Sequence, residues 1–242
     1  METRINEENQ NILFDRRMFL WAGISGIAIA IGYIVITILF VLSGSPLPKD
    51  ASSWIIYLDG KSSLWWFIIW LSIITDILYL PVTYGLYKLL NKSHKGLMLI
   101  SSVLFILFVF LELAITWSKY PALLEIAGRY HGTENDELRS IYMASIETLS
   151  IEFQTPVTTF YCIFIPSIAV ILSSYIMLQE KVGSRVISFI GLISGTFNSI
   201  SAIGRYFYEA LENLVIPGSF LSLFWFLCVG ITLIKQRKII ST

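Results

Sequence analysis

Charge is scarce in this sequence: Asp, Glu, Lys and Arg make up 14% of its 242 residues, and histidine occurs twice. Lys+Arg and Asp+Glu are equal at 17 each, so no net field draws nucleic acid or an acidic ligand, and only the placement of charge is informative. The two cysteines, Cys162 and Cys228, stand far apart in apolar runs with no CxxC and no histidine beside them. That pattern offers neither a cysteine metal site nor a redox pair, and it reads as apolar packing. His94 and His131 fall between apolar runs, which disfavours a bis-histidine haem or a histidine metal site inside a bundle. There is no Walker loop, no GxGxxG and no GxSxG, and every lysine lies in a tail, a connection or near the end of an apolar run. A nucleotide cradle, a nucleophile elbow and a lysine-linked chromophore are therefore all unsupported. No cofactor and no metal is expected.

What the chain has is apolar sequence: 55% of it is hydrophobic, and the mean hydropathy is +0.72. Those values belong to a membrane protein. Six runs approach the ~20 apolar residues needed to cross a hydrocarbon core of about 30 Å. They are 20–42, 64–87, 96–117, 154–178, 186–206 and 214–234. Helix is the spanning form that satisfies every backbone group without closing a barrel. The expected fold is thus all-α, a polytopic transmembrane bundle of six helices forming a single domain over residues 1–242. Arg16-Arg17 ahead of the first run, with Ser43-Gly44-Ser45 behind it, has the outline of a signal peptide. The run counts 23 residues, however, longer than an h-region of roughly 7–15, so a retained first span is expected.

Orientation follows from Lys and Arg in the connections. The N-terminal tail, 88–95, 179–185 and the C-terminal tail carry three, three, two and three of them, eleven in all. The intervening connections, with Arg205 at the end of span five, carry six. By the positive-inside rule both termini are expected in the cytoplasm. Trp54, Tyr57, Trp65, Trp66, Trp117 and Tyr120 then gather at outer ends, and Trp21, Tyr84 and Tyr87 at inner ones, as headgroup anchors do. The longest connection, 118–153, is expected to be extracellular and partly helical. Leu138, Ile141, Tyr142, Ser145, Ile146 and Leu149 have helical spacing, and His131–Asp136 reads as a turn that caps this helix, which runs on into span four.

Several polar residues lie within the spans. Ser72, Asp76, Tyr79 and Thr83 are spaced by four, three and four, so they share one helical face. Pro81 cannot donate to the carbonyl of Ile77, which predicts a break beside Asp76; Pro166 likewise frees the carbonyl of Cys162. A charged group at mid-bilayer costs about 2.5–3.5 kcal/mol on insertion scales. Two readings of Asp76 stand: a carboxyl that binds a solute or a proton, or one that only ties helices together. In span five Ser188, Gly191, Gly195, Asn198, Ala202 and Arg205 form a stripe whose glycines predict close helix packing. At about 1.5 Å per residue, Asp76 and Asn198 come roughly level, and Glu112 and Arg205 lie nearer the outer face. The expected site is a cavity open to the outer side, lined by Asp76, Tyr79, Glu112, Gln154, Thr158, Asn198 and Arg205.

The segment Gly85-Leu-Tyr-Lys-Leu-Leu-Asn-Lys-Ser-His-Lys-Gly-Leu joins two spans through a short basic turn. A second basic turn leads into span five through Tyr175-Ile-Met-Leu-Gln-Glu-Lys-Val-Gly-Ser-Arg-Val-Ile-Ser-Phe-Ile-Gly-Leu-Ile-Ser-Gly. In these stretches the chain resembles a family of small prokaryotic six-helix membrane proteins catalogued as a domain of unknown function. Members usually place a proline or tryptophan where this chain has Val182-Gly183-Ser184. The resemblance implies six helices and a plasma-membrane location, and it brings no activity with it. Three functions therefore stay open: a small-solute or proton-coupled transporter or binding protein, an accessory or sensory protein whose polar contacts are structural, and an intramembrane carboxylate-dependent enzyme. The expected partners are the lipid bilayer and a small solute or protons; a homo-oligomer is compatible, and nucleic acid is not expected.

Overall fold

The computed structural model describes residues 2–44, 47–91 and 94–239, with side chains for 16–44, 47–91 and 94–236. Ser45 and Lys92, which bear on the signal-peptide outline and the charge bias, lie outside the described residues, as do the side chains of Arg4, Arg237 and Lys238. The described chain is helical from end to end: α1 (Glu2–Gly44), α2 (Ala51–Leu58), α3 (Ser62–Ile77), α4 (Tyr79–Leu90), α5 (Lys95–Leu111), α6 (Trp117–Gly132), α7 (Asp136–Phe153), α8 (Pro156–Thr159), α9 (Ile165–Gln179), α10 (Arg185–Gly204) and α11 (Val215–Ile239). Among the described residues, six helical stretches are long and apolar enough to cross a membrane: Arg16–Gly44, Ser62–Leu90, Lys95–Gly132, Pro156–Gln179, Arg185–Gly204 and Glu209–Gln236. This is a multi-pass membrane protein. Its exposed surface carries Ile31, Ile34, Ile38, Phe67, Trp70, Ile74, Val103, Phe110, Phe189 and Phe220, an apolar belt far larger than a water-facing surface tolerates.

Helices α1 and α11 pack along each other and cross where glycines meet. A Cβ built on Gly230 would lie 2.6 Å from the carbonyl oxygen of Gly23, and one on Gly26 would lie 3.0 Å from Cα of Gly230. Backbone therefore touches backbone at this crossing, as small-residue motifs permit. The sequence pattern points instead to Gly191 and Gly195 on α10. These too are packing residues, the first seated against Ser174 and Trp225 and the second against Ile171 and the carbonyl of Ser167.

A second apolar cluster forms a cap at one end of the bundle, made by α2, α6, α7 and the start of α3 around Trp54, Trp65, Tyr120, Leu123 and Ile146. Helix α2 falls where the sequence suggests plain connection. It forms because Asp50 caps it, accepting from the backbone N–H of Ser53 at 2.9 Å, and because Trp54, Tyr57 and Leu58 bury on one side. Asn135 caps α7 in the same way, accepting from Glu137 N at 2.9 Å and Leu138 N at 3.2 Å. Helix α7 does not run on into span four. It stops at Phe153, because Thr155 precedes Pro156 and is held extended at ψ 151°, as residues before proline are.

Candidate functional site

Three of the spanning stretches are irregular at one level of the bundle. Helix α3 ends at Ile77, Leu78 forms a turn, and α4 resumes at Tyr79 with Pro81 in its first turn. This is the break that the missing proline N–H demands. Between α5 and α6 lies a π-helical turn, Glu112–Thr116, closed by the N–H of Trp117 on the carbonyl of Glu112. A second π turn, Phe160–Phe164, precedes α9 and is closed by the N–H of Ile165 on the carbonyl of Phe160. It surrounds Cys162, whose carbonyl Pro166 cannot engage. Each π turn inserts a residue and so rotates the helix beyond it by about 100° relative to a regular helix.

The two π turns interlock. Thr116 Oγ1 lies 3.1 Å from Tyr161 Oη and 3.8 Å from Cys162 Sγ. Glu112, 6% exposed, faces Thr116 and Cys162. Asp76, 2% exposed, accepts on each carboxyl oxygen: Tyr33 Oη donates to Oδ1 at 2.8 Å, and Trp117 Nε1 donates to Oδ2 at 2.6 Å. One carboxyl thereby pins α1, α3 and the head of α6. Tyr33 reaches it because its neighbour Gly32 lets α1 approach α3; a Cβ there would lie 2.6 Å from Thr75 Oγ1. Glu112 is near enough to Asp76 for the two carboxyls to interact electrostatically, and among the described residues neither takes part in an ion pair.

A cleft of about 370 Å³ adjoins this level. Tyr79 forms part of its wall, with ring centroids 6.4 Å from Tyr33, 5.1 Å from Phe108 and 4.9 Å from Phe226. Phe40 and Trp117 separate it from the cap, the first edge-on to Trp65 at 5.4 Å and the second stacked on Tyr120 at 5.5 Å. Ser72 lines the cleft, and its buried Oγ has no hydrogen-bond partner. Asn198 lines it too: its Nδ2 donates to Ser222 Oγ at 3.3 Å, while Oδ1 is pressed against Gly218 without a donor.

Of the residues expected in one cavity, Asp76, Tyr79, Glu112 and Asn198 lie at or beside this cleft. The other three lie elsewhere. Arg205 does not meet Glu112; α10 ends at Gly204, and Arg205 turns to Glu212 in the short 3₁₀ segment Glu209–Leu214, with Nη2 2.7 Å from Oε1. Gln154 sits at the end of α7, where its Nε2 donates to the carbonyls of Lys49 and Ser150 at 3.1 and 3.2 Å. Thr158 Oγ1 donates to the carbonyl of Glu152 at 2.8 Å and so braces the turn between α7 and α8. Sequence reasoning misses Tyr33, whose only signal is a phenol in mid-span next to a glycine. It takes Trp117 for an interfacial anchor and Cys162 for filler, because neither π turn is visible to it.

The family described as Domain of unknown function (DUF4386) matches residues 18–231. The chain belongs to this family. The match runs from α1 into α11 and so takes in all three irregular spans and the Tyr33–Asp76–Trp117 contact of this DUF4386 protein. No curated protein and no solved structure gives a match.

Proposed function

We propose that this DUF4386 protein binds or transports a small solute through the cleft beside Asp76, with protons as a candidate coupling ion. The observation that carries this reading is the juxtaposition of a roomy cleft with two buried carboxyls at the point where three helices are broken. Irregular backbone inside a bundle is tolerated where it lines a cavity, and discontinuous helices are a recurrent device of solute sites at membrane depth. Intramembrane carboxyls belong to the same pattern. The bias of Lys and Arg supports cytoplasmic termini in a plasma membrane, and with that orientation the cap around Trp54 and Tyr120 faces outward. A second reading, an accessory or sensory protein whose cap engages a partner, is favoured by Ile56, Leu138 and Ile141, which stand exposed on α2 and α7.

The experiment is thiol accessibility. With Cys162 and Cys228 replaced by Ala, single cysteines at Ser72, Ser167 and Ser222 are treated in vesicles with methyl methanethiosulfonate, an uncharged reagent that partitions into the bilayer and so reaches the cleft from water or from lipid. Ser72→Cys, Ser167→Cys and Ser222→Cys are expected to react at least tenfold faster than Ile34→Cys on the lipid-facing surface. Equal, slow reaction at all four positions would leave the carboxyls as packing contacts and remove the solute-binding reading.

A further inference from the structure

We infer that the occupant of the cleft is a small lipophilic amine: one aromatic or aliphatic group carrying a protonated nitrogen. The inference rests on the solute-binding reading above and names the chemistry that the walls recognise.

Charge comes first. Asp76 and Glu112 are both buried beside the cleft, and among the described residues no Lys, Arg or His pairs with either. A site with two carboxyls and no basic side chain has its electrostatic complement in a cation. The oxygens of Asp76 are engaged by Tyr33 Oη and Trp117 Nε1, and both of those rings line the cleft. A phenol or indole that donates to a carboxylate becomes richer in π-electrons. Ionised opposite a bound ammonium, Asp76 would relay its negative charge to the cleft through these two aromatic side chains, which attract cations on their faces.

The remaining wall has the same character. Tyr79, Phe108 and Phe226 supply apolar and aromatic surface. Ser72, one helical turn before Asp76, is 2% exposed, lines the cleft, and leaves its Oγ without a partner. That hydroxyl is an unsatisfied polar group in the wall, one turn from Asp76, and a polar ligand atom is what would satisfy it. An anion would find no basic side chain in the lining and two carboxyls behind it, and a strongly hydrated neutral solute such as a sugar would leave most of its hydroxyls against hydrocarbon.

The route of entry fits such a ligand. Helices α1 and α11 cross at Gly23, Gly26 and Gly230, and the cleft lies beyond that crossing, between Tyr33–Phe40 of α1 and Ser219–Phe226 of α11. Thr37 and Ser219 are exposed at this gap, whereas the cap end is closed by Phe40 and Trp117 packed on Trp65 and Tyr120. The mouth therefore opens between two spanning helices toward the acyl region, where a lipophilic amine partitions and a sugar or an inorganic ion does not.

The test uses three probes that share a ring and chain length and differ in charge: phenethylamine, phenethyl alcohol and phenylacetate. Binding is titrated by calorimetry on the full chain in phosphatidylcholine nanodiscs at neutral pH, with empty nanodiscs subtracted to remove partitioning. Phenethylamine is expected to bind at least tenfold more tightly than phenethyl alcohol, with phenylacetate weakest. Glu112→Gln and Asp76→Asn are each expected to lower the amine-to-alcohol affinity ratio at least threefold. Should Asp76→Asn fail to fold, the wild-type ratio and Glu112→Gln decide the matter. Alcohol binding as tightly as amine overturns the cationic ligand while leaving a solute site in place; absence of binding by all three overturns this inference, and slow thiol reaction in the cleft would overturn the solute-binding reading as well.

Discussion

Tyr33 and Trp117, from the first and third spanning stretches, donate to opposite oxygens of the same carboxylate, that of Asp76, at 2.8 and 2.6 Å. A buried carboxyl with both oxygens engaged fixes the relative positions of the elements that reach it. Here those elements are α1, the broken end of α3 and the residue that closes the first π turn. The hydrogen bonds therefore set the geometry of one wall of the cleft, and both donors are also part of that wall.

If Asp76 is the shared acceptor, removing a donor and removing the carboxylate are not independent. Tyr33→Phe leaves one oxygen short of a partner, and Asp76→Asn turns an acceptor into an NH₂ that faces a donor. Each change alone is expected to lower stability by about 1–3 kcal/mol. The double variant is expected to fall short of the sum by about 1 kcal/mol, because the contact can be lost only once. Reversible unfolding in mixed micelles measures all three variants. Strictly additive losses would show that Tyr33 and Asp76 do not share a hydrogen bond in solution.

The crossing of α1 and α11 makes a sharper steric prediction. Gly230→Ala places a methyl group 2.6 Å from the carbonyl of Gly23 and 2.9 Å from the backbone N of Ile27, neither of which is the end of a flexible side chain. Overpacking of this kind costs about 1–3 kcal/mol. Gly128→Ala, on α6, meets nothing within 4 Å, and helix propensity there favours alanine by up to ~1 kcal/mol. Thermal unfolding midpoints are therefore expected to move in opposite directions. A common shift would mean that the two helices do not touch at Gly230.

The six-helix architecture was legible because a bilayer demands length, apolarity and internal hydrogen bonding, and those are properties of composition over twenty residues. The breaks at Pro81 and Pro166 were legible for a similar reason, since a missing N–H is visible in the sequence. The π turn at Glu112-Leu-Ala-Ile-Thr contains no proline and no glycine, so regular spacing predicts Glu112, Thr116 and Lys119 on one face. Beyond the inserted residue Lys119 instead reaches Glu152, 2.7 Å away on α7. Counting depth along straight helices brings Arg205 level with Glu112, but α10 has already ended. The pairing of Tyr33 with Asp76 depends on Gly32 admitting another helix, a tertiary fact that no periodicity in α1 records.

Outside the spans, Asp50 offers a pH test of the cap. Its carboxyl accepts from Ser52 Oγ at 2.6 Å, from Ser53 N at 2.9 Å and from Ser53 Oγ at 2.8 Å. These bonds, that from the Ser52 hydroxyl foremost, hold its pKa at about 2. In the unfolded chain an aspartate titrates at about 3.9. A carboxyl whose folded pKa is depressed contributes its stabilisation in full above the unfolded value and loses it as pH falls through the folded one. The N-cap of α2 is thus expected to hold unchanged at neutral pH, to weaken below about pH 4 and to be lost near pH 2. Carbon-13 titration of the Asp50 carboxyl is expected to show a midpoint near 2 that Ser52→Ala moves upward. Asp50→Asn keeps a capping oxygen and should make exchange of the Ser53 amide insensitive to protonation at residue 50. Asp50→Ala, by contrast, should speed that exchange at every pH. A midpoint at the ordinary aspartate value would show that the Ser52 and Ser53 bonds do not form, and that α2 is held instead by the contact of Ala51 N with Glu147 Oε2, 2.8 Å away on α7.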